Sequence, residues 1–145
     1  MCGRYATALS RAEWSGLFPV APASLELPEP RYNLAPSQGA PVIRELEGER
    51  NLELLRWGLV PAWAKSPEAV RHNLFNARGE SVAEKPSFRA AFRSRRCLMP
   101  ASGFFEWHTS EAGKQPYYIS RTDGAPLVFA GLWEQWAKAG QELQT

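Results

Sequence analysis

The sequence predicts an α+β fold in which a curved β-sheet, or an open barrel, forms the core and a few short helices pack around it. In the last third of the chain, short β-type segments recur about every 8–12 residues and are separated by glycine-containing turns. A pair of apolar segments flanks the turn Glu47–Glu49, which is typical of a β-hairpin. Helix-start signals stand near Ser10 and near Pro86. Together these patterns indicate an α+β fold.

The first half of the chain contains a capping box and a Pro-rich stretch. Ser10–Glu13 has the Ser-x-x-Glu spacing of a capping box, which predicts a helix through about Phe18. The Pro-rich stretch Pro19–Pro36 cannot hold a helix, so we expect an ordered loop there. Two strands are predicted next, Pro41–Leu46 and Leu52–Trp57.

The second half is predicted to contain one helix among short strands. Pro86 suits the first position of a helix, so a helix is expected over Pro86–Arg93. The predicted strands are Phe75–Arg78, Arg96–Met99, Phe104–His108, Tyr117–Ser120 and Leu127–Ala130. No internal repeat or interdomain linker interrupts the pattern, and we expect one domain over residues 1–145.

Composition narrows the class of protein. The apolar fraction of 44% is ordinary for a globular protein, and no apolar run has the length of a membrane span. With no signal-peptide pattern either, we expect a cytoplasmic protein that does not bind a membrane. Two Cys and two His show no metal-ligand spacing, so neither a metal nor another cofactor is predicted.

The charge is distributed unevenly along the chain. Residues 56–96 contain nine Lys or Arg against three Glu, whereas the remainder has more acidic than basic residues. This separation is what a face that binds a polyanion requires, although a solvated basic helix would give the same pattern.

The N-terminus carries the most specific chemical signal. Cys2 follows Met1, and a small second residue permits removal of the initiator methionine. Cys2 would then present an α-amine and a thiol, both partly nucleophilic near neutral pH. Such a 1,2-aminothiol reacts with an aldehyde in two steps: the amine forms an imine, and the thiol closes a five-membered thiazolidine. The second step is intramolecular and therefore strongly favoured. An incidental Cys2 remains the alternative.

Other side chains suit supporting roles. Glu106 alternates with Phe105 and Trp107, so it should lie on the opposite face of its strand, where burial would make it a usable general acid or base. Asn76 can orient an amine or a carbonyl without titrating. Trp63 lies in a turn beside Lys65, where its ring could stack on an unpaired base. Each of these residue types is also common in purely structural roles, and Cys97 is expected to be a buried structural thiol.

Six motifs in order resemble the SOS-response-associated peptidase (SRAP) family, which includes abasic-site shield proteins. They are Met1–Tyr5, Arg31–Pro36, Arg56–Pro61, Asn76–Glu80, Gly103–Trp107 and Gly131–Glu134, and they span nearly the whole chain.

The resemblance implies a DNA damage-response protein that removes its own Met1, binds single-stranded DNA and captures ring-opened abasic sites as a thiazolidine crosslink. It implies that Cys2 is the nucleophile, that Asn76 positions the N-terminus and the sugar, and that Glu106 transfers protons and assists self-cleavage. The residues expected to contact DNA are Arg4, Asn33, Pro36, Trp63, Arg78, Lys85 and Arg89, and the expected location is the bacterial cytosol and nucleoid.

The family pattern also continues beyond Glu134 into strands with a catalytic His in an Ile-His-x-Arg-Met-Pro motif. Neither His72 nor His108 stands in that setting. We therefore expect a domain truncated at its C-terminus, with an open sheet edge that favours self-association.

Two other classes of function stay open on the residues alone. Class II glutamine amidotransferases also begin Met-Cys-Gly and use the terminal amine as a base for the thiol, but Arg4 and Tyr5 stand where those enzymes have an apolar residue and a glycine. A non-catalytic nucleic-acid-binding module would explain the basic segment alone.

Overall fold

The computed structural model describes residues 2–17, 27–70 and 74–145. Over these residues the chain forms two four-stranded antiparallel sheets, one two-stranded hairpin and two short helices. The strands are β1 (Arg4–Thr7), β2 (Arg31–Leu34), β3 (Gly39–Leu46), β4 (Glu49–Arg56), β5 (Arg96–Ala101), β6 (Gly103–Ser110), β7 (Gly113–Ile119), β8 (Leu127–Leu132), β9 (Gln135–Lys138) and β10 (Gln141–Gln144). The helices are α1 (Arg11–Leu17) and α2 (Arg89–Ser94).

The strand order places the N-terminal strand inside a sheet. In the first sheet the order is β2-β1-β6-β7, and in the second it is β4-β3-β5-β8. Because β1 is paired on both sides, residues just before it are anchored next to β6. The two curved sheets do not close into a barrel, and with two short helices the predicted α+β class is confirmed.

Several predicted elements are found. The capping box forms as expected, since Ser10 N–H donates to Glu13 Oε2 at 2.7 Å and Glu13 N–H donates to Ser10 Oγ at 3.3 Å. Helix α1 follows it to Leu17, and the predicted end at Phe18 lies outside the described residues. The β3–β4 hairpin and strands β5 to β8 also form, most of them longer than predicted.

Other expectations are wrong. The Pro19–Pro36 loop contains strand β2, because β1 offers a pairing edge that Arg31–Leu34 can occupy. Phe75–Arg78 is an irregular segment instead of a strand, held by side-chain and backbone bonds to neighbouring loops. Helix α2 begins at Arg89, three residues later than predicted, because a turn at Lys85–Phe88 precedes it.

An aromatic core lies between the two sheets, directly under the N-terminus. Tyr5 of β1 meets Trp57 edge-on with ring centroids 5.1 Å apart, and meets Phe129 of β8 in the same manner at 5.9 Å. Such edge-to-face pairs contribute about 0.5–1.5 kcal/mol each beyond the burial of their area. Cys2 packs against this cluster. The aromatic core therefore helps to hold Cys2 in place at the start of β1.

Strand β7 is an exposed edge of the first sheet, and the expected truncation of the domain stays a prediction. Every residue of β7 is exposed, including Tyr117, Tyr118 and Ile119, and Val128 of the neighbouring sheet's edge strand is exposed too. Unpaired edge strands with apolar side chains favour association, so self-association through β7 or β8 stays a prediction.

Candidate functional site

Cys2 lies immediately before β1 and is only partly buried. Its carbonyl oxygen accepts a hydrogen bond from Asn76 Nδ2 at 2.6 Å, and its thiol donates to the carbonyl oxygen of Arg4 at 3.4 Å. The bond from Asn76 joins residues 74 positions apart in sequence. It connects two of the three residues for which the sequence predicts a catalytic role.

Neighbouring loops hold Asn76 in place. Trp57 Nε1 donates to the carbonyl oxygen of Phe75 at 2.9 Å, and Leu59 N–H donates to that of Leu74 at 3.0 Å. Between these donors, Gly58 has φ of +123°, a conformation that other residues rarely adopt. The residues that follow β4 therefore hold the segment that carries Asn76 through two hydrogen bonds, although that segment is neither a helix nor a strand.

Glu106 approaches Cys2 from the adjacent strand β6. Arg4 pairs with Phe105 and Tyr5 with Phe104, so continuing the register by one residue sets Glu106 beside Gly3. Strand alternation places Glu106 on the face of Phe104, opposite Phe105 and Trp107, as the sequence predicts. On the other side of β6, Glu106 is in register with Tyr117 of β7.

The surroundings of the Cys2 thiol disfavour its thiolate form. Burial raises the pKa of the Cys2 thiol above its ordinary value; a backbone hydrogen bond at Arg4 opposes this change and the negative charge of Glu106 adds to it. A nearby base or a higher pH is therefore needed to generate the thiolate, which is the nucleophilic form. Glu106 is the carboxylate whose charge the thiol experiences at this position.

Two of the predicted DNA contacts meet beside this cluster. Arg4 Nη1 donates to Asn33 Oδ1 at 3.0 Å, which joins β1 to β2 on the exposed side of the sheet. Pro36 lies in the following turn, which is fixed by the donation of Ser37 N–H to the carbonyl oxygen of Trp57 at 2.7 Å. The Asn33–Pro36 stretch is thus tied to the same residue that orients the Asn76 segment.

The remaining predicted contacts are more scattered. Arg78, Lys85 and Arg89 are exposed along the segment that runs from Asn76 into α2. Trp63 is 64% exposed in a separate turn, braced by Lys138, whose Nζ donates to the Trp63 carbonyl oxygen at 3.1 Å. The structure brings the basic segment next to Asn76 through the chain itself, whereas Trp63 belongs to the surface near β9.

Sequence reasoning missed the contribution of Trp57. It is 8% exposed and its indole is the donor that holds Phe75. A buried Trp usually finds a partner for its N–H, so a Trp at a strand end followed by Gly was the available signal. Cys97 is buried as expected, and burial raises its pKa to about 11.

Among the described residues, no cluster of three or more His, Cys, Asp or Glu has the arrangement of a metal site. His108 is exposed on β6, and His72 lies outside the described residues. Within the same described residues, no helix is long and apolar enough to cross a membrane.

Comparison with protein families finds that residues 1–145 match the sequence model described as SOS response associated peptidase (SRAP). The abasic site processing protein YoqW of Bacillus subtilis is 40% identical over 141 residues, covering 94% of this chain and 61% of that protein. YoaM of the same bacterium is 42% identical over 110 residues, covering 75% and 48%. YedK of Escherichia coli is 31% identical and covers 99% and 64%.

Solved structures show the same fold. A Bordetella bronchiseptica protein superposes with a TM-score of 0.81 at 30% identity, covering 99% of this chain and 69% of that one. A Bacteroides thetaiotaomicron protein gives 0.82 at 27% identity, covering 99% and 65%. The chain thus spans 48–64% of the length of the curated relatives named above.

Proposed function

The chain belongs to the SOS response associated peptidase (SRAP) family, and from that premise we propose that it acts on abasic sites in single-stranded DNA, capturing them covalently through Cys2 after Met1 is removed. The observation that carries the proposal is the hydrogen bond from Asn76 to the Cys2 carbonyl, with Glu106 on the adjacent strand. Relatives such as YoqW and YedK are named abasic site processing proteins.

The capture uses the two nucleophiles of one residue. The α-amine of Cys2 adds to the aldehyde carbon of the ring-opened sugar, and water leaves to give an imine. The thiol then adds to the same carbon, its proton passes to the nitrogen, and a thiazolidine links protein to DNA. Because both groups belong to Cys2, the second step is intramolecular.

Asn76 and Glu106 have distinct parts in this proposal. Asn76 fixes the Cys2 backbone through a neutral amide, so its effect does not depend on pH over the physiological range. Glu106 moves protons: it takes one from the nucleophile and returns one to the departing oxygen. The Glu106 carboxylate also assists the self-processing peptidase step, in which the peptide bond between Met1 and Cys2 is cleaved.

Recognition of the DNA strand is electrostatic. Arg4, joined to Asn33, lies next to Cys2 and is suited to a phosphate beside the captured sugar. Arg78, Lys85 and Arg89 continue the positive surface, and Trp63 offers an exposed ring for stacking. A protein with this role in a bacterium works on chromosomal DNA, in the cytosol and at the nucleoid.

Intact mass spectrometry after incubation with an abasic single-stranded oligonucleotide tests the proposal. The expected product starts at Cys2 and carries the mass of the oligonucleotide minus one water. Cys2→Ala keeps the α-amine and can still form a reversible imine, but it should abolish the heat-stable adduct and leave reversible binding nearly unchanged. Cys97→Ala is the matched control, because it removes the other thiol, and it should still form the adduct.

Glu106→Gln separates the proton-transfer role from bond formation. Since general acid–base catalysis contributes about 10²–10⁴ in rate, this variant should form the same adduct more slowly, or retain Met1. Each variant is therefore compared from material with a verified Cys2 terminus. A heat-stable adduct formed by Cys2→Ala would identify another nucleophile and refute the mechanism, as would active protein that retains Met1.

A further inference from the structure

A cavity of about 750 Å³ lies beside the sheet β4-β3-β5-β8, and Cys2 and Asn76 form part of its wall. The rest of the wall is largely apolar and includes Trp57, Phe75, Met99 and Phe129. This volume is within the range of small-molecule sites, which are typically concave and apolar with a few polar groups. Abasic sugars are polar, so the proposed DNA chemistry leaves this apolar space unexplained.

One buried hydroxyl also lacks an assigned role. Tyr5 lines the cavity, is 1% exposed, and its hydroxyl has no hydrogen-bond partner among the described residues. A buried hydroxyl without a partner is unfavourable, because it loses its bonds to water and gains none in return. The oxygen itself is inaccessible, so Tyr5 adds no accessible polar group to the apolar wall.

From this arrangement we propose that the protein also captures free aldehydes that carry an apolar chain, with the chain seated in the cavity and the aldehyde carbon bonded to Cys2. The inference rests on the aminothiol chemistry of the proposed function and names a second substrate class for it. The amine adds to the carbonyl carbon, water leaves, and the thiol adds to the imine carbon while its proton moves to nitrogen. No oxidant or reductant is needed.

The geometry accounts for selectivity. Cys2 is partly exposed and also lines the cavity, so one residue faces both solvent and the apolar space. Each methylene that passes from water into such a space strengthens binding roughly three- to fourfold. Small aldehydes such as propanal gain little from the cavity, whereas hexanal adds three methylenes and should gain about 30- to 60-fold.

The test compares the adduct equilibrium constants of propanal and hexanal, measured by intact mass on the protein with a Cys2 terminus. The tripeptide Cys-Gly-Arg, which has the same aminothiol and no cavity, supplies the intrinsic ratio. We expect the hexanal-to-propanal ratio of the protein to exceed that of the tripeptide by about 30-fold. An excess of at least tenfold supports the proposal. A ratio equal to that of the tripeptide overturns it.

Filling the cavity gives an independent result. Val42 lines the cavity and is 4% exposed, so Val42→Phe should bring the ratio down to the tripeptide value. Leu54→Phe is the matched control on the adjacent strand, since Leu54 is 64% exposed and is absent from the cavity wall. It should preserve the ratio. If Val42→Phe does not fold, the wild-type ratio alone decides.

Capture of abasic DNA is measured in parallel on every sample. A DNA adduct with no chain-length dependence for free aldehydes overturns this inference and leaves the proposed function intact. Hexanal capture without a DNA adduct refutes the proposed function and supports the aldehyde site. Absence of both adducts refutes the aminothiol chemistry that the two proposals share.

Discussion

Replacing Asn76 by Ala tests whether the N-terminus is preorganised. Asn76 Nδ2 lies 2.6 Å from the Cys2 carbonyl oxygen in a partly buried position. Alanine has no side-chain donor that could replace this hydrogen bond. A net contribution of about 0.5–1.5 kcal/mol for such a bond corresponds to a roughly 2- to 13-fold smaller population of the aligned nucleophile. Adduct formation with abasic single-stranded DNA should slow by that factor, and reversible binding should change little.

The assay is a denaturing-gel time course with Asn51→Ala as the matched control. Asn51 Nδ2 also donates to a backbone carbonyl, that of Glu49 at 3.1 Å, but in the exposed β3–β4 hairpin. Asn76→Asp should be slower than Asn76→Ala, because a carboxylate would face the Cys2 carbonyl with no donor. An unchanged rate for Asn76→Ala, or an equal loss in Asn51→Ala, would refute preorganisation through this bond.

Four further outcomes are expected. Since burial raises the pKa of the Cys2 thiol, the initial rate of adduct formation should keep rising as pH increases past about 8.5, the ordinary thiol value; a plateau near pH 7 in rate measurements would contradict this. Arg78→Glu should weaken binding of all single-stranded sequences alike in fluorescence anisotropy, with log affinity falling by about 0.7 per log unit of salt for each phosphate neutralised; strong preference for one duplex sequence would contradict it. Glu53→Ala removes the carboxylate that binds the buried Arg44 through both oxygens and leaves Gln144 as its hydrogen-bond partner, and it should lower the free energy of unfolding by about 3 kcal/mol in urea titrations. Ile119→Lys on the exposed β7 edge should reduce concentration-dependent association in light scattering, and an unaltered monomer at all concentrations in the wild type would remove the premise.

The sequence predicted the capping box and the β3–β4 hairpin well, because the residues that form each of them are close together in the chain. The capping box at Ser10 and the turn at Glu47–Glu49 are each defined by residues within a few positions of one another, and both form as predicted. Strand β1 escaped prediction, since Arg4–Thr7 is short and its pairing partners lie 24 or more residues away, in β2 and β6. Pairing supplied by distant strands overrides weak local preference.

The candidate site was predictable as a set of residues but not as an arrangement. Order of motifs placed Cys2, Asn76 and Glu106 in one family pattern, and alternation placed Glu106 on the correct face. The sequence around Trp57 indicates a buried indole but not that its partner is Phe75, because that hydrogen bond joins two loops 18 residues apart. The strand predicted at Phe75–Arg78 is wrong for the same reason. The segment is apolar enough to form a strand, but its hydrogen bonds are made with loops and not with another strand.

The proposed nucleophile lies at a chain terminus, where residues usually fray and lose the orientation that an intramolecular reaction requires. Here the strand that follows Cys2 is central in its sheet, with β2 on one side and β6 on the other. The aromatic core beneath Tyr5 and the amide of Asn76 then fix the terminus from below and from the side. Each restraint comes from a different part of the chain, so loss of any one should slow capture without abolishing it, whereas loss of Cys2 should abolish it.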